Sequence, residues 1–125
     1  MSDSQLKELV SLTEQLRYST ETDRLRDYAP YPKQLDFHAA GATYRERLLM
    51  AGNQLGKTWS AGFETSMHLT GRYPDNWPGR TWDKPVMCWA AGVTGEVTRD
   101  TVQRVLLGRF NAIGTGAIPR DSIID

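Results

Sequence analysis

Residues 50 to 58 read Met-Ala-Gly-Asn-Gln-Leu-Gly-Lys-Thr, and this stretch restricts the chain more tightly than any other. The apolar run Leu48-Leu49-Met50 precedes it and a helix-forming stretch follows from Lys57, which is the strand, glycine-rich turn and helix order of a phosphate-binding loop. Successive backbone N–H groups in such a turn converge on an anion, and the helix behind it adds the positive end of its dipole. Gly56 lets the backbone turn, Lys57 brings a cation to the β- and γ-phosphates, and Thr58 offers Mg²⁺ a hydroxyl ligand. The usual pattern, Gly-x-x-x-x-Gly-Lys followed by Ser or Thr, is met everywhere but at its first glycine. Position 51 is Ala51, and the glycine comes one residue later at Gly52.

A chain of 125 residues supports one small domain with a single core, small for a complete motor or helicase domain. Fifteen basic and fifteen acidic residues cancel, so there is no bulk cationic signature for nucleic acid or membrane. Cys88 is the one cysteine, which excludes an internal disulfide and points to a reducing setting. No basic segment followed by an apolar stretch opens the chain, and no run of eighteen apolar residues occurs, so a soluble, unexported protein is expected.

Before the loop, Leu6, Leu9, Val10 and Leu16 recur near helical spacing, with Ser2, Asp3 or Ser4 able to cap. A second short helix is expected over Ser19 to Tyr28, where Thr20 and Asp23 are spaced like a capping box. Pro30 and Pro32 interrupt the chain, and Pro32 suits the first turn of a helix carrying Leu35, Phe37 and His38 and stopping at Gly41. Arg47 to Ala51 reads as a buried strand. The helix behind the loop would run from Lys57 to Thr70 with Trp59, Phe63 and Met67 inward. The turn formers between Gly71 and Pro85 predict a long loop that Tyr73, Trp77 and Trp82 anchor against the core. Pro85 to Ala91 is an apolar run of strand length, and a helix capped by Thr94 and ending near Gly108 follows it. Two strand-to-helix units in tandem predict an α/β fold with a doubly wound, mostly parallel sheet. Beyond Arg109 the pattern fades into a flexible Gly114-Thr115-Gly116 and a helix start at Pro119.

No paired carboxylate, His/Cys set with metal-ligand spacing or serine triad competes with the loop. His38 and His68 stand alone in the sequence, and His68 reads as a helix-surface residue. One of Arg99 and Arg104 could reach a phosphate across a subunit boundary, but a solvated face is the simpler account of each.

The stretch from Leu48 to Thr58 resembles the start of the motor domain in large terminase subunits of tailed bacteriophages. Tyr31-Pro32-Lys33-Gln34-Leu35-Asp36-Phe37 resembles the family's upstream segment, whose glutamine contacts adenine, and so nominates Gln34. Met87-Cys88-Trp89-Ala90-Ala91-Gly92-Val93-Thr94 resembles its next strand and turn. The likeness runs from about Tyr28 to Gly108. Where some relatives carry a loop arginine, this chain has Asn53 and Gln54.

The resemblance implies a helical segment over residues 1–28 and a partial P-loop ATPase domain over 29–125, with the phosphate loop at 51–58 and a second strand-helix unit at 85–108. ATP would lie on Gly52, Asn53, Gln54, Leu55, Gly56, Lys57 and Thr58, with adenine at Gln34, Mg²⁺ on Thr58, and Lys57 and Thr58 serving hydrolysis. Implied partners are double-stranded DNA, a portal protein, a small terminase subunit and further copies of the chain in a ring, in the host cytoplasm and without a membrane. The acidic pair and nuclease domain of full-length relatives are missing, so the chain reads as an N-terminal part of such a motor. Two other readings stay open: a fragment of another P-loop ATPase such as a superfamily-2 helicase, and a non-catalytic nucleotide-binding stub.

Overall fold

Ser2 starts the first helix, α1 (Asp3–Thr22), in a computed structural model that describes residues 1–50 and 56–124. Its hydroxyl accepts from Gln5 N at 3.3 Å while Gln5 Oε1 accepts from Ser2 N at 2.9 Å, a reciprocal capping box. The break expected at Ser19 does not occur. Thr20 and Thr22 turn their hydroxyls back onto the carbonyls of Leu16 and Tyr18, and the helix runs through to Thr22 before a 3₁₀ turn at Arg24–Asp27. No residue of α1 is buried, and Leu6, Leu9, Val10 and Leu16 all remain about half exposed or more.

Pro32 sits in the first turn of α2 (Pro32–Ala40), where its missing N–H costs nothing. The buried face of α2 is polar, Gln34 and His38, rather than Leu35 and Phe37. The third helix, α3 (Lys57–Thr70), matches the expected span and ends at Gly71, whose N–H donates to Met67 O at 2.8 Å. Phe63 and Met67 are buried as expected, whereas Trp59 is 41% exposed. With Leu25 and Ala117 they form the core, and Tyr28, Tyr73 and Trp77 pack against it. Tyr28 stacks on Phe63 at 4.3 Å between ring centroids. The aromatics of the 71–85 loop are anchors: His68 and Tyr73 share a 3.0 Å hydrogen bond, and the Tyr73 hydroxyl accepts from Trp82 N at 3.0 Å.

The expected α/β fold, a mostly parallel sheet with flanking helices, is overturned: helices are the only regular elements among the described residues, and none of those residues is in a strand. The runs ending at Met50 and spanning Pro85 to Ala91 have strand composition, but a strand exists only through ladder bonds to a neighbour, and they find none among the described residues. Instead of being covered on both faces, Leu48 and Trp89 are 82% and 91% exposed.

A helical stretch follows Thr94, whose hydroxyl accepts from Val97 N at 3.1 Å. It comprises α4 (Gly95–Val97), a π-helical segment Thr98–Gln103 and α5 (Arg104–Leu107). At Gly62, α3 and α5 approach so closely that an added Cβ would lie 2.6 Å from Val105 Cγ1.

The stretch after Arg109 is more ordered than its sequence implied. Gly114, Ala117 and Ile118 donate their N–H groups to the carbonyls of Leu107, Val105 and Leu106, satisfying the end of α5. Ser66 Oγ donates to Ala117 O at 2.9 Å, Arg24 Nε donates to Thr115 O at 2.8 Å, and Arg72 forms a two-pronged pair with Asp121. Pro119 is fully buried and precedes a 3₁₀ turn, Arg120–Ser122.

Candidate functional site

Gly52, Asn53, Gln54 and Leu55, four of the residues assigned to the nucleotide, lie outside the described residues, as does Ala51. Gly56, Lys57, Thr58 and Gln34 lie within them. Gly56 caps α3 with φ +67°, a left-handed conformation that a side chain would strain. Lys57 and Thr58 occupy the first two positions of the helix, half-buried, where orphan N–H groups and the dipole favour an anion.

Gln34 comes from α2, 22 residues earlier, and its Nε2 reaches Gly56 O at 3.5 Å, the outer limit of a hydrogen bond. Its Oε1 accepts from Tyr31 N at 2.9 Å, which fixes how the amide is turned. The structure therefore brings together two segments that the sequence linked only through resemblance. Thr58 faces another way as well: with Ala61 and Thr65 it lines a cleft of about 240 Å³ whose far wall is Trp89 to Ala91 and Val105. The 85–91 run, expected to be a strand, thus lies beside α3 and pairs with no strand among the described residues.

Two turns into α3 lies a cluster that the sequence reading missed. Glu64 is 4% exposed, and its carboxylate is gripped from three sides. Oε2 accepts from His38 Nδ1 at 2.7 Å and from Arg47 Nη1 at 3.0 Å, Oε1 accepts from Arg47 Nη2 at 2.7 Å, and His68 Nε2 stands 3.4 Å from Oε1. His38 is fully buried, and its Nε2 is 2.8 Å from the Tyr28 hydroxyl. Burial pushes the Glu64 carboxyl up, but the bonds from His38, His68 and Arg47, together with the Arg47 charge, outweigh it and hold the group well below the usual carboxylate range. The Tyr28 hydroxyl is pushed up to about 12, by burial first and by the Glu64 charge second. His38 and His68, which stand alone in sequence, share this one carboxylate. Glu64 and His68 are four apart on one helix, a spacing that could have flagged the pair. Nothing local announces His38 or Arg47, which are 26 and 17 residues from Glu64.

Arg99 pairs with Asp100 at 2.9 Å, and both line a cleft of about 500 Å³ with Arg104, Arg109 and Phe110. Cys88 is free and exposed, and no metal-holding group of His, Cys, Asp or Glu occurs among the described residues. None of the described helices is long and apolar enough to cross a membrane.

Residues 48–125 match the family model described as terminase large subunit, T4likevirus-type, N-terminal. The chain is 40% identical over 139 aligned residues to the terminase large subunit of Salmonella phage P22, covering 99% of this chain and 28% of that protein. It therefore spans less than a third of that relative's length. No solved structure matches it.

Proposed function

The chain belongs to the terminase large-subunit family, and from that premise we propose that it is the ATP-binding part of a phage DNA-packaging motor. ATP hydrolysis would be coupled to movement of double-stranded DNA into a procapsid by the longer protein of which its relative is an example. Phosphates rest on Gly52 to Thr58, the adenine edge meets Gln34, and Lys57 offsets charge on the transferred phosphoryl group. Thr58 would hold Mg²⁺ through its hydroxyl, and the ion would supply positive charge against that of the phosphates. The residues present suit that group: a hydroxyl and an ammonium on successive positions at the N-terminus of a 14-residue helix, behind a glycine in the left-handed region.

The observation that carries this reading is the approach of Gln34 Nε2 to Gly56 O at 3.5 Å. A base contact and a phosphate contact must lie within one nucleotide's reach, and here their carriers touch. The DNA part of the reading draws support from the cleft where Arg99, Arg104 and Arg109 gather in a chain with no net charge, beside a Phe110 that is 92% exposed. A portal protein, a small terminase subunit and further copies of the chain are the partners that go with this function, in the host cytoplasm.

The deciding experiment is a titration with a fluorescent ATP analogue and Mg²⁺. Lys57→Ala is expected to abolish binding while the helical circular dichroism signal stays. Equal affinity of the variant and the parent would remove the phosphate loop from the account. Measurable ATP turnover by the chain itself would exclude a purely non-catalytic role.

A further inference from the structure

We infer that Glu64 is a positioning residue for the nucleotide site: with His38 and Arg47 it fixes α2 against α3, and thereby sets where Gln34 meets Gly56. The inference rests on the assignment of Gln34 to the base proposed above. Gln34 and His38 are one helical turn apart on the buried face of α2. Gln34 touches the N-cap of α3, and His38 grips Glu64 two turns further along the same helix at 2.7 Å. These are two rungs between the same two helices. Holding one rung sets the rotation and register of the other.

Arg47 makes the hold rigid. Its guanidinium forms the bidentate pair with Glu64, donates through Nη1 to Phe37 O at 2.8 Å, and lies over the Phe37 ring at 4.4 Å. The carboxylate therefore engages α2 twice, through the His38 ring and through the backbone beside it. Tyr28 closes the far side of His38 at 2.8 Å while stacking on Phe63 of α3. A buried ion cluster of this kind is a poor source of net stability, since apolar side chains of similar volume often serve as well. Its better-attested use is to specify one arrangement among several. The arrangement specified here is the one that sets Gln34 Nε2 beside Gly56, where a Cβ would already come within 3.0 Å of it.

The test compares the affinities of Mg-ATP and Mg-GTP analogues for the chain and four variants, with melting temperature followed in parallel. Gln34→Ala is expected to narrow the preference for ATP, and Glu64→Gln to narrow it similarly, by several-fold up to about tenfold. In the Gln34→Ala background, Glu64→Gln is expected to change the ratio no further, because both act on one contact. Arg47→Lys, which keeps the charge but loses the fork, is expected to fall between parent and Glu64→Gln, and decides the matter should Glu64→Gln fail to fold. The inference is overturned if Gln34→Ala shifts the ratio while Glu64→Gln and Arg47→Lys leave it at the parental value. It is equally overturned if those two weaken both nucleotides by the same factor, the mark of a merely structural role. If Gln34→Ala leaves the ratio unchanged, the base assignment itself has failed and the positioning role goes with it.

Discussion

At Glu64 and Tyr28, burial and charge act on neighbouring groups with opposite outcomes, and each leaves a signature in the pH dependence of stability. The Glu64 carboxyl titrates near 4.5 when unfolded and well below that when folded. Between those values the unfolded chain binds more protons, so the contribution of Glu64 is complete above about pH 4.5 and drains away as pH falls. Urea midpoints measured from about pH 6 down to about pH 3 are expected to decline, and to decline less steeply in Glu64→Gln. Tyr28 behaves in the reverse sense: its hydroxyl goes from 10.0 to about 12 on folding. Its contribution is present below pH 10 and is lost as pH climbs toward 12. Tyr28→Phe is expected to flatten that alkaline decline, and at neutral pH to cost about 1 kcal/mol for the lost bond to His38. Little of this cluster was legible in the sequence. The i to i+4 pair of Glu64 and His68 was visible in principle, but His38 joins it only because α2 packs on α3, and Arg47 reaches it from the irregular segment between those helices. Family resemblance nominated Gln34 for the base, but no pattern in the sequence announced its approach to Gly56 O.

Helices α1 and α3 were legible because their signals are local. Ser2 and Gln5 form a capping box within four residues, and Gly71 ends α3 within one turn of Met67. The sheet was misread because composition is only half of what a strand needs. Residues 85–91 are apolar and of strand length, yet the partner that would make them a strand is a non-local fact no window of sequence contains. The close packing of α3 on α5 was similarly hidden, since a lone glycine in a helix reads as a weakness. Gly62 is instead the place where the two helices meet, with Val105 Cγ1 2.6 Å from where a Cβ would stand. Gly62→Leu is expected to force α5 away and lower stability by about 1–3 kcal/mol, against a helix-propensity gain of at most about 1 kcal/mol. Chemical denaturation checks it, and a variant as stable as the parent would mean that α5 does not seat on α3.

For the molecule as a whole, fifteen positive and fifteen negative charges cancel, so any affinity for DNA must come from where the charges sit. Arg104 and Arg109 share one cleft with the Arg99 and Asp100 pair, an excess of positive charge at that spot. If DNA uses it, binding by the chain will be weak and will fall steeply with salt. Arg104→Ala combined with Arg109→Ala should then reduce the slope of log affinity against log salt by about 2. An unchanged slope would move the DNA contact elsewhere. The same whole-molecule view accounts for the order of the stretch after Arg109. Its glycines and short side chains carry little periodic signal, but its backbone completes α5 and its carbonyls take donors from Arg24 and Ser66.

Trp89, held in the wall of the cleft that Thr58 lines yet 91% exposed, turns a segment with no strand partner among the described residues into an optical handle. Among Trp59, Trp77, Trp82 and Trp89 it is the indole most open to water, so it is expected to dominate the red edge of the emission spectrum and to be the first quenched by acrylamide. Any surface laid over residues 85–91 would shift that emission to the blue, and the chain would report its own docking without a label.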